Sequence, residues 1–138
     1  MEQAKNIGID ILEKHDLQQN DAVMFDIDDT LIYYNMKPNT HIIELARKSK
    51  ELGYKVIIIT ARPDYKYNRE ITENELKKYN IYFDLLFYAN HHNKRYIKEQ
   101  LSSTFVLSVG DMWTDLTNSL HFIKLPSKID NDNIITIA

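Results

Sequence analysis

One stretch, residues 22–31, constrains the fold of this chain more than any other. It begins with the apolar run 22–25, which predicts a short buried strand, and continues into three acids within four residues. At about 4 Å and an effective dielectric of about 20, each pair of like charges costs on the order of 4 kcal/mol. A bound cation or a shared proton compensates such a cluster. The stretch therefore predicts a functional site, and an acidic turn on ordinary surface is the alternative that these ten residues leave open.

The spacing of the acids indicates how they are used. Residues two apart on an extended backbone point the same way, so Asp26 and Asp28 converge on one site while Ile27 anchors into the core. A calcium-binding helix-loop-helix loop also begins Asp-x-Asp, but it requires Gly at its sixth position and Glu at its twelfth. This chain has Leu31 and Lys37 there, so we exclude that kind of site.

Length and composition predict one globular domain, residues 1–138. Hydrophobic residues make up 43% and charged residues 27%, which is typical of a globular protein. We expect no membrane segment, because no apolar run approaches roughly 18 residues and the first residues lack the apolar core of a signal peptide. The absence of Cys excludes disulfides, and together these features favour a cytoplasmic protein. A net charge of −3 provides no global basic footprint for nucleic acid.

Strand and helix patterns alternate along the chain. Strands are predicted at 22–25, 56–59, 84–88, 105–109 and 122–125, with a last edge strand at 134–137. Helices are predicted at 8–15, from a start signal at 38–40 to a stop at Gly53, and at 94–101, with a short one near Leu116. A further helix is predicted from the capping box Thr72-x-x-Glu75 to Tyr79. Loops are predicted at 33–36, 64–68, 90–93 and 128–133. Such alternation predicts an α/β fold with a mostly parallel sheet.

Polar clusters follow three of these strands directly. Asp26, Thr60 and Asp111 each come immediately after an apolar run. In open α/β sheets ligands bind beyond the carboxyl ends of the strands, where the strand order reverses. We therefore expect these three side chains to meet at one edge of the sheet.

With these motifs in place, the chain resembles the haloacid dehalogenase-like (HAD) superfamily of phosphotransferases. The resemblance rests on Asp26-Ile27-Asp28-Asp29-Thr30, on Thr60 after a hydrophobic strand, on a downstream Lys, and on Gly110-Asp111 followed by Asp115. It is closer to the class B and plant vegetative-storage-type acid phosphatases, through Thr60-Ala61-Arg62, Arg69-x-x-Thr72-x-x-x-Leu76, residues 110–116 and Lys124-Leu125-Pro126. Where members often have Gly-Asp-Gln-Trp-Ser-Asp-Leu, this chain has Met112 and Thr114. The fold so implied is a Rossmann-like three-layer sandwich.

The resemblance implies catalytic roles. Asp26 would attack phosphorus and form an aspartyl-phosphate, and Asp28 would act as general acid and then as general base. Thr60 would hydrogen-bond a phosphoryl oxygen, and a lysine would offset the charge of the nucleophile and the phosphate. The resemblance favours Lys94 for that lysine, and Lys98, one turn later on the same helix face, stays open as the alternative.

The resemblance also implies Mg²⁺ as the cofactor. Asp26 and Asp111 would bind it through their carboxylates and Asp28 through its backbone carbonyl, while Asp115 would act in or just behind the metal shell. Substrate-binding roles fall to Thr60, Ala61, Arg62 and Lys94.

The spacing of the motifs leaves no room for a cap domain. The intervals from Asp28 to Thr60 and from Thr60 to Lys94 each hold one loop, one helix and one strand. We therefore expect an open site that takes a phosphorylated small molecule or the phosphorylated end of a macromolecule. A homo-oligomer whose neighbour serves as a lid would also fit. Trp113 and the tyrosines around 65–67 either line the substrate mouth or pack.

Two other functions stay open. A polynucleotide 3′-phosphatase is less favoured and needs a local basic patch, for which the candidates are Lys66, Lys94, Arg95 and Lys98. A pseudo-phosphatase that serves as a binding module is the non-enzymatic alternative. It is disfavoured because Asp26, Asp28, Thr60 and Asp111 are all present.

Overall fold

Helices and strands alternate along the chain in the computed structural model, which describes residues 1–127 and 134–138. The elements are α1 (Glu2–Lys14), β1 (Asp21–Phe25), α2 (Thr40–Glu51), β2 (Lys55–Thr60), α3 (Lys66–Lys78), β3 (Leu85–Tyr88), α4 (Lys94–Gln100), β4 (Thr104–Gly110), β5 (Ser119–Lys124) and β6 (Thr136–Ile137). Two single 3₁₀ turns, His91–Asn93 and Trp113–Asp115, precede α4 and follow β4.

The strands form one sheet in the order β3-β2-β1-β4-β5-β6. All neighbours are parallel except β6, which runs antiparallel to β5 at the edge. From β1 the chain builds outward first to β2 and β3 on one side, then to β4 and β5 on the other. The strand order therefore reverses beside β1, and the predicted α/β fold with a mostly parallel sheet is confirmed.

Both faces of the sheet are covered by helices. Side chains of β1 alternate between the faces: Val23 and Phe25 lie in the larger core with α1, α2 and α3, whereas Ala22 and Met24 pack on the α4 side. Because the central strands are buried on both sides, they are continuous apolar runs and not alternating ones. The result is the predicted three-layer arrangement.

The predicted start of α3 is wrong. The helix begins at Lys66, so Thr72 lies in its middle and caps nothing, and the predicted loop 64–68 is correspondingly shorter. The Thr72 hydroxyl is buried and accepts a hydrogen bond from Arg62, a partner outside the helix. The element predicted near Leu116 is the 3₁₀ turn Trp113–Asp115. The loop predicted at 128–133 lies outside the described residues.

The intervals between the motifs hold no cap domain. From Asp28 to Thr60 the chain forms a loop, α2 and β2, and from Thr60 to Lys94 it forms α3, β3 and a 3₁₀ turn. In the two described ranges, the helices lack the length and hydropathy needed to cross a membrane.

Candidate active site

Three neighbouring strands deliver the predicted residues to one edge of the sheet. Asp26 follows β1, and its backbone N–H donates to Val109 O at 3.1 Å, which keeps it in register with β4. Thr60 is the last residue of β2, and Asp111 follows β4 directly. Because β1 lies between β2 and β4, these three residues meet where the strand order reverses.

Asp28 and Asp29 lie in a tight turn that follows β1 and Asp26. The carbonyl of buried Ile27 accepts hydrogen bonds from the N–H groups of Thr30, Leu31 and Ile32. Asp29 adopts a positive φ of 58°, and its Oδ1 accepts from the N–H of Tyr34 at 2.8 Å. Asp29 therefore secures the following loop.

The carboxylates of Asp26, Asp111 and Asp115 form a buried group, here called the acid cluster. One oxygen of each lies within 4.8 Å of the others. Asp115 reaches the cluster from the 3₁₀ turn, where the Met112 N–H donates to its Oδ2 at 3.1 Å. Gly110 makes this approach possible, because a side-chain carbon at that position would overlap the Asp115 carboxylate and Cβ.

Two buried lysines on α4 have different partners. Lys94 is fully buried, and its Nζ donates to Asp26 Oδ1 at 2.8 Å and to Asp115 Oδ1 at 2.7 Å. Lys98 Nζ donates to Ser108 Oγ at 2.9 Å and to the backbone carbonyls of Asp115 and Thr117 at 2.7 Å. Of this pair, Lys94 is the one whose ammonium contacts carboxylates of the acid cluster.

The acid cluster carries more negative charge than Lys94 neutralises. Burial, then a hydrogen bond and the charge of Asp26, raise the pKa of Asp111 to about 8. Burial and the charge of Asp26 raise the pKa of Asp115 to about 7, although Lys94 opposes this. The pKa of Lys94 itself is raised, because the two carboxylates outweigh the effect of burial. The cluster therefore requires either a bound proton or a further cation.

A divalent cation fits this donor set. Three carboxylates from three separate segments place oxygens close together, and oxygen ligands of this kind are those that Mg²⁺ prefers. The charge left over after Lys94 is the charge that such an ion would compensate. We conclude that Asp26, Asp111 and Asp115 can hold a divalent metal.

Asp28 has a different environment from the acid cluster. Its side chain is 60% exposed and forms a salt bridge with Arg62. The Arg62 Nη2 donates to Asp28 Oδ1 at 2.8 Å, and its Nε donates to Asp28 Oδ2 at 3.1 Å. On its other side the guanidinium contacts α3: Nη1 donates to Thr72 Oγ1 at 3.0 Å and Nη2 to Glu75 Oε2 at 3.2 Å. Thr72 and Glu75 are not among the site residues predicted from the sequence. Their spacing of three residues on one helix face was the available signal.

An open pocket of about 300 Å³ lies over these residues. Its lining includes Asp26, Asp28, Ala61, Arg62, His91 and Asp111. Thr60 is buried beneath it, and its Oγ1 accepts from the Arg62 N–H at 3.2 Å. The pocket is thus open to solvent and is lined largely by charged side chains.

Two of the four candidates for a basic patch are not available at the surface. Lys94 and Lys98 are buried and face inward, which leaves Lys66 and Arg95 exposed among the four candidates. Because α4 packs against the sheet, both lysines lie beneath the site and their ammonium groups are not exposed to solvent. Three exposed aromatic side chains lie close in sequence to residues that line the pocket: Trp113, which is 50% exposed, follows Met112, and Tyr65 and Tyr67 come shortly after Pro63.

Comparison with known families defines the class of protein. The model of the HAD superfamily, subfamily IIIB (acid phosphatase), matches residues 35–131, which is more than half of the chain. The chain therefore belongs to this family and is an enzyme of the phosphatase class. The matched residues include Thr60, Lys94, Asp111 and Asp115, whereas Asp26 and Asp28 precede them.

Two solved structures share the fold. A chain of the Pnkp1/Rnl/Hen1 complex is 25% identical, with a TM-score of 0.61, and the match covers 72% of this chain and 42% of that one. A chain of the Pnkp1/Rnl/Hen1 RNA repair complex is 26% identical, with a TM-score of 0.58 and coverage of 72% and 39%. This chain thus spans about two fifths of the length of either relative. No curated protein sequence matches it.

Proposed function

We propose that this phosphatase hydrolyses phosphomonoesters through a phosphorylated Asp26 and depends on Mg²⁺. The observation that carries the proposal is the acid cluster with Lys94, which holds Asp26 at the floor of an open pocket. We also infer that residues 1–138 form one catalytic domain without a cap, because a single sheet positions every residue invoked.

The proposed reaction has two displacements. An Asp26 carboxylate oxygen attacks phosphorus, the ester P–O bond breaks, and Asp28 donates a proton to the departing oxygen. Asp28 then removes a proton from water, which attacks phosphorus and releases phosphate together with the Asp26 carboxylate. The leaving group thus departs as a neutral alcohol and the enzyme returns to its starting state.

The remaining residues bind and orient. Thr60 donates its hydroxyl to a phosphoryl oxygen, and Lys94 offsets the charge that Asp26 and the phosphate share, while Ala61 and Arg62 line the pocket. Mg²⁺ would be held by Asp26 and Asp111, with the Asp28 carbonyl and with Asp115 in or behind its shell, and would neutralise phosphoryl oxygens.

Replacement of the nucleophile tests this proposal. We expect Asp26→Asn to lower kcat for p-nitrophenyl phosphate by at least about a thousandfold, because the amide cannot form the acyl phosphate. The matched control is Asp16→Asn, the same change at an exposed residue, which we expect to behave as wild type. Near-wild-type turnover by Asp26→Asn, or turnover unaffected by chelation of Mg²⁺, would contradict the mechanism.

A phosphorylated nucleic acid end is a second candidate substrate. Two observations favour it: one structural relative is a chain of an RNA repair complex, and exposed aromatic side chains lie close in sequence to residues that line the pocket. Bases stack on aromatic side chains with about 1–3 kcal/mol per base. We expect kcat/KM to be about tenfold or more higher for a 3′-phosphorylated oligonucleotide than for phenyl phosphate. We also expect Trp113→Ala to remove most of that difference.

Equal kcat/KM for the two substrates, or equal losses on both in Trp113→Ala, would restrict the enzyme to small phosphate esters.

A further inference from the structure

The guanidinium of Arg62 connects helix α3 with the exposed acid of the site. Its side chain is only 14% exposed, and its donors are shared between Asp28 on one side and Thr72 and Glu75 on the other. Thr72 is buried and Glu75 nearly so. Arg62 thus lies between a carboxylate that faces solvent and two acceptors that belong to the packed body of the protein.

The two ends of this connection lie on different kinds of element. Asp28 lies in the turn after β1, whereas Thr72 and Glu75 lie on a continuous helix whose Leu76 is part of the core. A long arginine side chain has many rotamers, and acceptors at its far end select one of them. Because Nη2 donates to both Asp28 and Glu75, a rotation that breaks one contact also disturbs the other.

We propose that Thr72 and Glu75 are positioning residues that hold the Arg62 fork so that it presents the protonated Asp28 carboxyl group to the leaving-group oxygen. This inference rests on the proposed function, in which Asp28 is the proton donor. Thr72 and Glu75 touch neither substrate nor metal in this scheme, and they act through Arg62. Arg62 accordingly serves as the support of Asp28 more than as a free phosphate ligand.

A leaving-group test separates positioning from simple loss of structure. A nitrophenolate leaves readily without a proton, whereas an alkoxide needs one, so misplacement of Asp28 must slow alkyl phosphates more than p-nitrophenyl phosphate. We expect Thr72→Val and Glu75→Gln to lower kcat/KM for an alkyl phosphate such as glycerol phosphate by about 10–100-fold. For p-nitrophenyl phosphate we expect a loss of about threefold or less.

Matched variants complete the experiment. Thr72→Ser keeps the hydroxyl acceptor and is expected to restore kcat/KM for the alkyl phosphate. Glu73→Gln removes the same charge from the exposed face of the same helix and is expected to leave the ratio of the two substrates unchanged. Melting temperatures of all four variants show whether each is folded under the assay conditions.

The outcomes distinguish the two levels of inference. Wild type that hydrolyses neither ester overturns the proposed function and this inference with it. Wild type that hydrolyses both, with Thr72→Val and Glu75→Gln losing equally on both substrates or on neither, overturns the positioning role alone. A selective loss on the alkyl phosphate that Thr72→Ser restores supports it.

Discussion

Asp26 and Asp28 are two residues apart, yet the structure gives them opposite surroundings. Asp26 is buried with Asp111 and Asp115 against the ammonium of Lys94. Asp28 is largely exposed and is held by the planar fork of Arg62. One short motif thus supplies two carboxylates for two purposes. The buried one depends on charge compensation, and the exposed one depends on orientation.

The two surroundings should also differ in what they contribute to stability. Ions buried together lose their hydration and need their partner, so breaking a buried pair is costly. An exposed carboxylate keeps much of its water, so its partner chiefly fixes geometry. Substitutions in the acid cluster should therefore change stability and activity together, whereas substitutions around Asp28 should change activity more than stability.

The largest effect is expected for Lys94→Met. Two buried carboxylates lose their cation, so we expect the free energy of unfolding to fall by about 3–5 kcal/mol in the presence of a chelator. Activity should fall at least about a thousandfold, because the charge of Asp26 and the phosphate is no longer offset. Urea denaturation and steady-state kinetics measure the two quantities.

The control for this prediction is Arg95→Met on the exposed side of the same helix. Its side chain is 67% exposed and pairs with Glu99 four residues later, so we expect a change below about 0.5 kcal/mol. If Lys94→Met is as stable as Arg95→Met in chelator, the buried cluster does not depend on this lysine.

Gly110→Ala should have the next largest effect. The added methyl group overlaps the Asp115 carboxylate and Cβ, so the turn must shift, at a cost of about 1–3 kcal/mol. The rise in melting temperature on adding Mg²⁺ should shrink with it, because one carboxylate has moved. Gly8→Ala is the matched control, since its new methyl group meets the buried side chains of Leu45 and Ile123, neither of which belongs to the acid cluster. An unchanged Mg²⁺ response in Gly110→Ala would show that Asp115 is not needed for the metal.

Arg62→Lys tests whether the contact between Arg62 and Asp28 affects activity more than stability. A lysine keeps the charge but cannot form the fork that grips Asp28. We expect activity to fall by about 10–100-fold while the free energy of unfolding falls by only about 1–2 kcal/mol. Arg69→Lys, the same change in an exposed pair with Asp64, should leave both quantities unchanged. A stability loss as large as that of Lys94→Met would remove the distinction between the two regions.

The smallest expected effect is a change with pH in the amount by which Mg²⁺ raises the melting temperature. The pKa of Asp111, raised to about 8, and that of Asp115, raised to about 7, lie above their unfolded values, so these two groups stabilise the metal-free fold most at low pH. That contribution is lost as pH rises from about 4 toward 8. Because Mg²⁺ binds the ionised carboxylates, its affinity should increase about tenfold per pH unit where one proton is displaced.

Melting curves from pH 5.5 to 8.5, with and without Mg²⁺ and with ionic strength matched by NaCl, measure this dependence. The increase in melting temperature caused by Mg²⁺ should be larger at high pH. An increase that is constant with pH would mean that the metal displaces no proton from the cluster.

Much of the fold followed from local sequence. The apolar runs placed the strands to within a few residues, and the parallel order of β2, β1 and β4 brought Asp26, Thr60 and Asp111 to one edge as expected. The helix start predicted from the capping box at Thr72 was wrong because that pattern reflects local sequence only. In the structure the Thr72 hydroxyl accepts a hydrogen bond from Arg62, which lies outside the helix. Two of the four candidates for a basic patch, Lys94 and Lys98, are buried, and composition does not reveal which lysines packing will bury.

The sequence by itself determined the alternation of strands and helices and the position of acids at strand ends, because neighbouring residues along the backbone set both. The tertiary structure alone decided which lysine meets Asp26 and which arginine meets Asp28. Those partners are 68 and 34 positions apart and come together only when the sheet is assembled. Side-chain hydrogen bonds act over about 3 Å, so they depend on the final packing of segments that no local pattern specifies.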